Sequence, residues 1–190
     1  MPDTILRKEG HAMPLDENMD KRLKYSLLQS SIYYGYMFRY ISDEAVTYPY
    51  GSKFTALDVG PGHGSGTNLL GMLFSGNAYH MVIDTIDISE SCKEVVEKQP
   101  YIRQSYYGDI FSTTFGTEYD FIICSHVIEH MKDPYTFIKR LCELGKSVFI
   151  MAPWKENPER LTAGHECIFD ETSIEKIKHM FGGGKTIRAA

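Results

Sequence analysis

Residues 54–66 read FTALDVGPGHGSG, and the fold turns on this stretch. FTALDV (54–59) is a short apolar run interrupted by one acid, Asp58, and reads as a strand buried on both faces. It runs straight into Gly60-Pro61-Gly62-His63-Gly64-Ser65-Gly66, and a helical stretch, TNLLGMLF (67–74), follows. Glycines let a chain turn sharply and let a ligand approach the backbone where a Cβ would collide. The helix start beyond them offers N–H groups without intrahelical partners. In a doubly wound sheet this loop lies at the carboxyl end of the first strand, where ligands bind.

The same rhythm continues toward the C-terminus. MVIDTID (81–87), IRQSYY (102–107, closed by Gly108-Asp109), DFIICS (120–125) and KSVFIM (146–151) read as four further strands. Helical patterns separate them. Ser91-Cys-Lys-Glu94 has capping-box spacing. Asp133-Pro134 is an N-cap and N1 pair, Phe137, Ile138, Leu141 and Cys142 recur at helical spacing, and Gly145 suits the C′ position. Thr172-Ser-Ile-Glu175 opens a last helix that turns Ile174, Ile177 and Phe181 inward, with Gly182-Gly183-Gly184 ending it. The alternation predicts an α/β fold: a Rossmann-like, doubly wound, mostly parallel sheet in three αβα layers. Residues 51–190 form that domain. Residues 1–50 form an N-terminal helical extension, in which Leu23, Leu27, Leu28, Ile32, Tyr36, Met37 and Ile41 suggest two helices.

Composition narrows the class. Hydrophobic residues make up 43% of 190, enough for a real core. No apolar run approaches the roughly 20 residues that span a bilayer, and the polar start lacks a signal peptide's apolar centre, so a soluble cytoplasmic protein without membrane contact is expected. Cys92, Cys124, Cys142 and Cys167 stand far apart, which argues against a disulfide scaffold or a cysteine zinc site. The formal charge of −5 argues against a nucleic-acid substrate.

Glycine spacing separates the ligand classes. A dinucleotide fingerprint needs a third glycine three residues after the second, and Ser65 or Thr67 occupies that place. No Gly-Lys-Ser/Thr follows, so no P-loop exists. The pattern is G-x-G-x-G with an acid two residues before it.

ALDVGPGHGSG (56–66) resembles motif I of the class I methyltransferases that use S-adenosylmethionine (SAM). IDIS (86–89), GDIF (108–111) and YDFIICSHVIEHMKDP (119–134) continue the resemblance in order, the last resembling the fourth-strand block of the small-molecule branch. It covers about Phe54 to Phe181. It implies a SAM cofactor, S-adenosylhomocysteine as product and a small-molecule acceptor. It assigns to the cofactor Asp58, Gly60, Pro61, Gly62, Gly64, Asp87, Ile88, Asp109, Ile110, Ser125 and His126. Asp58 would bind the ammonium end, directly or through water, and Gly60 and Gly62 would border the methionine part. Asp87, ending the second strand, would accept the ribose hydroxyls. Its distance from the glycines points to extra residues around Ser75-Gly76-Asn77. Asp109 would accept the adenine amine and the Ile110 N–H would meet the ring, while Ser125 would lie near the sulfonium.

His126 would border the pocket, and His126 and His130 are the candidate general bases. His126-Val-Ile-Glu129-His130 also spells H-x-x-E-H, a zinc peptidase signature. That chemistry needs both histidines on a helix, whereas here the motif directly follows a strand; no metal is expected. Ala152-Pro153-Trp154 through Gly164-His165-Glu166 would help form the acceptor pocket. The tyrosine-rich extension (Tyr33, Tyr34, Tyr36) is a candidate lid over the acceptor, with packing of aromatic faces against the sheet as its alternative.

Methyltransferases of this class have seven strands, and KTIRAA (185–190) offers part of a sixth. An uncovered sheet edge would favour a homodimer. Two other readings are a non-catalytic SAM-binding module and an NAD-dependent oxidoreductase, which the glycine spacing disfavours. Protein acceptors stay open. An Asn/Asp-Pro-Pro-Tyr/Phe block of amino-group DNA methylases is missing, since Asp133-Pro134-Tyr135 begins a helix.

Overall fold

A computed structural model describes residues 19–76 and 79–181. Five strands form one parallel sheet: β1 (Lys53–Val59), β2 (His80–Asp87), β3 (Ile102–Tyr107), β4 (Tyr119–Ser125) and β5 (Gly145–Met151). Their order is β3-β2-β1-β4-β5, so the direction of winding reverses between β1 and β4. That gap is the topological switch point, and its carboxyl end is where a doubly wound sheet binds ligands.

Strand periodicity sorts the core into two layers. Phe54 and Ala56 of β1 and Phe121 and Ile123 of β4 face α1 (Met19–Ala45) and α2 (Ser65–Leu73), packing with Tyr34, Met37, Ile41, Leu70 and Phe74. Leu57, Val59, Ile122 and Cys124 face the other way, onto Phe137, Ile138 and Leu141 of α4 (Pro134–Leu144) and Ile177 of α5 (Glu171–Phe181). The three-layer αβα architecture is thus built, with a short α3 (Lys93–Val96) before β3. Inside the sheet the buried Asp84 accepts from Arg103 Nε and Nη2 (2.8 and 2.6 Å) and from the Tyr119 hydroxyl (2.8 Å). A carboxylate in a strand interior is costly without such partners.

Several local expectations are corrected. Among the described residues the extension holds one continuous helix, α1, where two were expected; no proline or glycine pair interrupts Met19–Ala45. Ser91 caps nothing: α3 begins after Cys92, which makes no side-chain cap, and Ser91 N–H donates to Ser89 Oγ. Asp170, not Thr172, opens α5, its carboxylate accepting from the Ser173 N–H at 2.9 Å. Ile177 is buried there, while Ile174 and Phe181 are half-buried. Gly145 is no left-handed cap; it is extended and begins β5, where a Cβ would meet Ile122 at 2.7 Å. The Asp133-Pro134 start is as expected, Asp133 accepting from the Tyr135 and Thr136 N–H groups. Residues 185–190, the terminating Gly182–Gly184 and Asn77 lie outside the described residues.

β5 is the outer strand, half-buried from Ser147 to Met151, and among the described residues no strand pairs with its outer side. No described helix is long and apolar enough to cross a membrane.

Candidate functional site at the carboxyl ends of the strands

The glycine loop turns by three residues in the left-handed region, Gly60 (φ 70°), Gly62 (φ 57°) and Gly64 (φ 75°). Gly60 is needed twice over: a Cβ there would also stand 2.3 Å from Cγ2 of Val127, beyond β4. Gly62 differs, being exposed with open space where a Cβ would point. Gly64 caps α2 without a side chain, so the helix start meets the loop as bare backbone.

Asp87 ends β2 opposite this loop. It accepts from the Ser89 N–H at 2.9 Å, and the Gly62 N–H lies nearby. Burial raises its pKa, and these two donors hold the rise back. A carboxylate has about four acceptor positions, so capacity for two hydroxyls remains. Next to it Ile88 is an apolar side chain 82% exposed. Asp109 is exposed beyond β3 and accepts from the Phe111 N–H at 3.0 Å, while Ile110 packs into the core.

Asp58 lies beneath the loop rather than on its surface. It is 0% exposed and accepts the Tyr34 hydroxyl on both oxygens (3.0 Å) and the Thr67 hydroxyl. Burial pushes its pKa up to about 6 against the pull of Thr67 and Tyr34. Tyr34 stays protonated, its pKa raised first by burial and then by Asp58. Its ring lies where a Cβ on Gly66 would stand, so Tyr34 brings α1 close against the start of α2. Neighbouring Tyr33 reaches the end of β4 and lies 4.1 Å from the His126 ring, centroid to centroid. Of the lid tyrosines, then, Tyr34 is core, Tyr33 borders the site and Tyr36 is exposed.

At the switch point β4 ends in the buried Ser125, whose hydroxyl is 3.0 Å from His126 Nδ1. His126 has φ 56°, a left-handed conformation that few side chains adopt and that gathers at functional sites. Burial lowers its pKa, and the nearby His165 and His130 lower it further. A 3-10 turn, Ile128–His130, follows. The H-x-x-E-H stretch is therefore loop and turn, not the helix a zinc peptidase needs. Residues 152–170 fold back over this turn: the Glu129 carbonyl accepts from Glu166 and Cys167, and Trp154 bridges to Phe169. That return brings His165 against His130, rings 4.9 Å apart and edge-on.

Sequence reading missed Glu156, which binds His165, and the Asp84–Arg103–Tyr119 network. An acid inside the apolar MVIDTID was a usable signal for the network; Glu156 sits in a polar stretch without one.

The methyltransferase domain family matches residues 20–182. No curated protein sequence matches the chain. Among solved structures, magnesium protoporphyrin IX methyltransferase from Synechocystis PCC 6803, with bound S-adenosylhomocysteine (SAH), is 19% identical at TM-score 0.55, over 92% of this chain and 80% of that one. Plantazolicin methyltransferase, bound to SAH and a desmethyl plantazolicin analogue, is 17% identical at TM-score 0.58, over 85% and 64%. Coclaurine N-methyltransferase, bound to SAH and N-methylheliamine, is 16% identical at TM-score 0.56, over 76% of this chain, which spans only 46% of that enzyme. These likenesses carry the fold, and the family match over nearly all the described residues carries the class. The chain belongs to the class I SAM-dependent methyltransferase family.

Proposed function

We propose that the chain transfers a methyl group from SAM to a small-molecule acceptor, leaving SAH. One observation carries the reading: the exposed Gly62, with open space in place of a Cβ, has its N–H near enough to the Asp87 carboxylate to lower its pKa. A backbone cradle beside a carboxylate with spare acceptor positions suits a nucleoside with a charged tail. Gly60, Pro61, Gly62 and Gly64 would border the methionine part, and Asp87 the ribose hydroxyls. Ile88 and the Ile110 N–H would meet the adenine, and Asp109 its amine. Asp58 supports the loop from below and adds negative charge near the ammonium end.

The sulfonium supplies an activated methyl group, open to in-line displacement. The chain has to align the acceptor and exclude water. Tyr33, Ser125 and His126 border the place where the methyl group would stand. His126 is the better base of the two candidates, because its lowered pKa keeps the ring neutral and ready to accept a proton at pH 7. His130 is tied to Gly164 and packs on His165. Small acceptors are supported by the solved neighbours, whose names give magnesium protoporphyrin IX, a triazolic desmethyl plantazolicin analogue, and coclaurine with N-methylheliamine. The charge of −5 disfavours a polyanion.

Calorimetric titration with SAM and, separately, with NAD tests the reading. SAM is expected to bind and NAD not. Asp87→Ala is expected to weaken SAM by about 10- to 100-fold, the equivalent of losing hydrogen bonds to a charged group. Binding of NAD, or none of SAM by a folded chain, would overturn it.

A further inference from the structure

Glu129 sits on the 3-10 turn, 1% exposed, and its Oε2 has no hydrogen-bond partner among the described residues. A buried carboxylate oxygen left alone costs free energy and calls for an explanation. Burial raises its pKa to about 7. Around it stand His130 and His165, and one donor atom from each of the three residues lies within 4.8 Å of the others.

The tautomers of both histidines follow from their outer partners. His130 Nδ1 lies 2.8 Å from the Gly164 carbonyl, which can only accept, so Nδ1 carries the proton and Nε2 the lone pair. His165 Nδ1 lies 2.6 Å from Glu156 Oε2. The other oxygen of Glu156, Oε1, accepts from the Thr162 hydroxyl at 2.8 Å. With both oxygens placed as acceptors, Glu156 takes Nδ1–H from His165, which again leaves Nε2 with the lone pair. Metal-binding histidines are held in this manner, with the second nitrogen donating to a carboxylate or carbonyl.

We propose that Glu129, His130 and His165 bind a divalent first-row transition-metal ion, with Glu156 and the Gly164 carbonyl orienting the two histidines. Two imidazoles and one carboxylate suit zinc and its neighbours. Three protein ligands leave coordination open, as in catalytic rather than structural zinc sites. Resting on the methyl-transfer reading above, that open position suits an acceptor with an oxygen ligand, a hydroxyl or carboxylate. His130 then serves the ion, and His126 alone remains as base.

Calorimetric titration of the chain with Zn2+, and absorption spectroscopy with Co2+, decide it. One ion per chain is expected. Glu156→Gln should weaken binding by about 10- to 100-fold, as loss of an orienting partner does, and Glu129→Gln or His165→Asn by more. Thermal melting of each variant confirms folding. A folded wild-type chain that binds no ion, or binding that all three variants leave unchanged, overturns the proposal. SAM titration of the same wild-type sample separates the two readings. SAM bound without zinc removes the metal site alone; zinc bound without SAM removes the methyl-transfer reading alone.

Discussion

At the carboxyl ends of β1 and β2 the site is made mostly of backbone, whereas beyond β4 it is made of side chains. The first half takes Gly60 and Gly62 from the loop that follows β1 and Asp87 from the last position of β2, with the Gly60 N–H donating to the Ile86 carbonyl at 2.8 Å. The second half gathers His126, Glu129 and His130 from one loop and Glu156 and His165 from a return segment about 30 residues later. In the function proposed above the first half takes the cofactor, and at Gly60 both conformation and space are specified, so little change is tolerated there. The second half, which takes the acceptor in that proposal, is written in polar side chains that can be rearranged while the sheet stays intact. The halves come close at Gly60 and Val127.

The largest effect is expected from breaking that meeting point. Gly60→Ala places a Cβ 2.3 Å from Val127 Cγ2 and forces an L side chain to φ 70°. Overpacking and left-handed strain together should cost about 3 kcal/mol, read by chemical denaturation. Val127→Ala in the same chain should recover about 1 kcal/mol or more, because it removes the steric part and leaves the conformational part. If the two substitutions add without coupling, the halves are independent and the contact is incidental.

A smaller effect sharpens the cofactor half. Tyr34→Phe removes the donor to both oxygens of the buried Asp58, and at pH 7.5 should cost about 2 kcal/mol. The sign with pH is fixed by the raised pKa. Folded Asp58 titrates near 6 and the unfolded group near 3.8, so the folded state binds the proton more tightly between these values. Stability from this group therefore rises as pH falls through 6, by about 1 kcal/mol from pH 7 to pH 5. Tyr34 supports the ionised form, so the gap between wild type and Tyr34→Phe should narrow over the same window. Urea denaturation at several pH values reads both, and a constant gap would mean that Tyr34 contributes packing only.

Much of the first half was legible because it is local. FTALDV, the glycines and Asp87 carry their meaning within a few residues, and each observed strand extends the sequence reading by one residue or none. The metal-ligand geometry was not legible. H-x-x-E-H names the right neighbourhood, but the trio leaves out His126 and adds His165, a pairing made only when the return segment bonds the Glu129 carbonyl. Tyr34 stood out as an aromatic, yet its partner Asp58 lies 24 residues away and belongs to a motif whose resemblance suggested another role.

Helix caps give the smallest and cleanest contrast between what sequence spacing suggests and what the fold uses. Asp133 and Ser91 both look like caps, but only Asp133 accepts backbone N–H groups, at 3.2 and 3.1 Å, and also the Thr136 hydroxyl at 2.6 Å. Asp133→Ala should therefore cost about 1 kcal/mol, and Ser91→Ala should stay within about 0.5 kcal/mol of wild type. The physical reason lies in the segment after β2. Asp87 already accepts from the Ser89 N–H, and Ser89 in turn accepts from Ser91, so the turn is organised from the cofactor side before a helix can claim Ser91. A loss at Ser91 as large as that at Asp133 would mean that α3 begins earlier, and that the Asp87 turn is held by the helix rather than by the ligand-binding strand end.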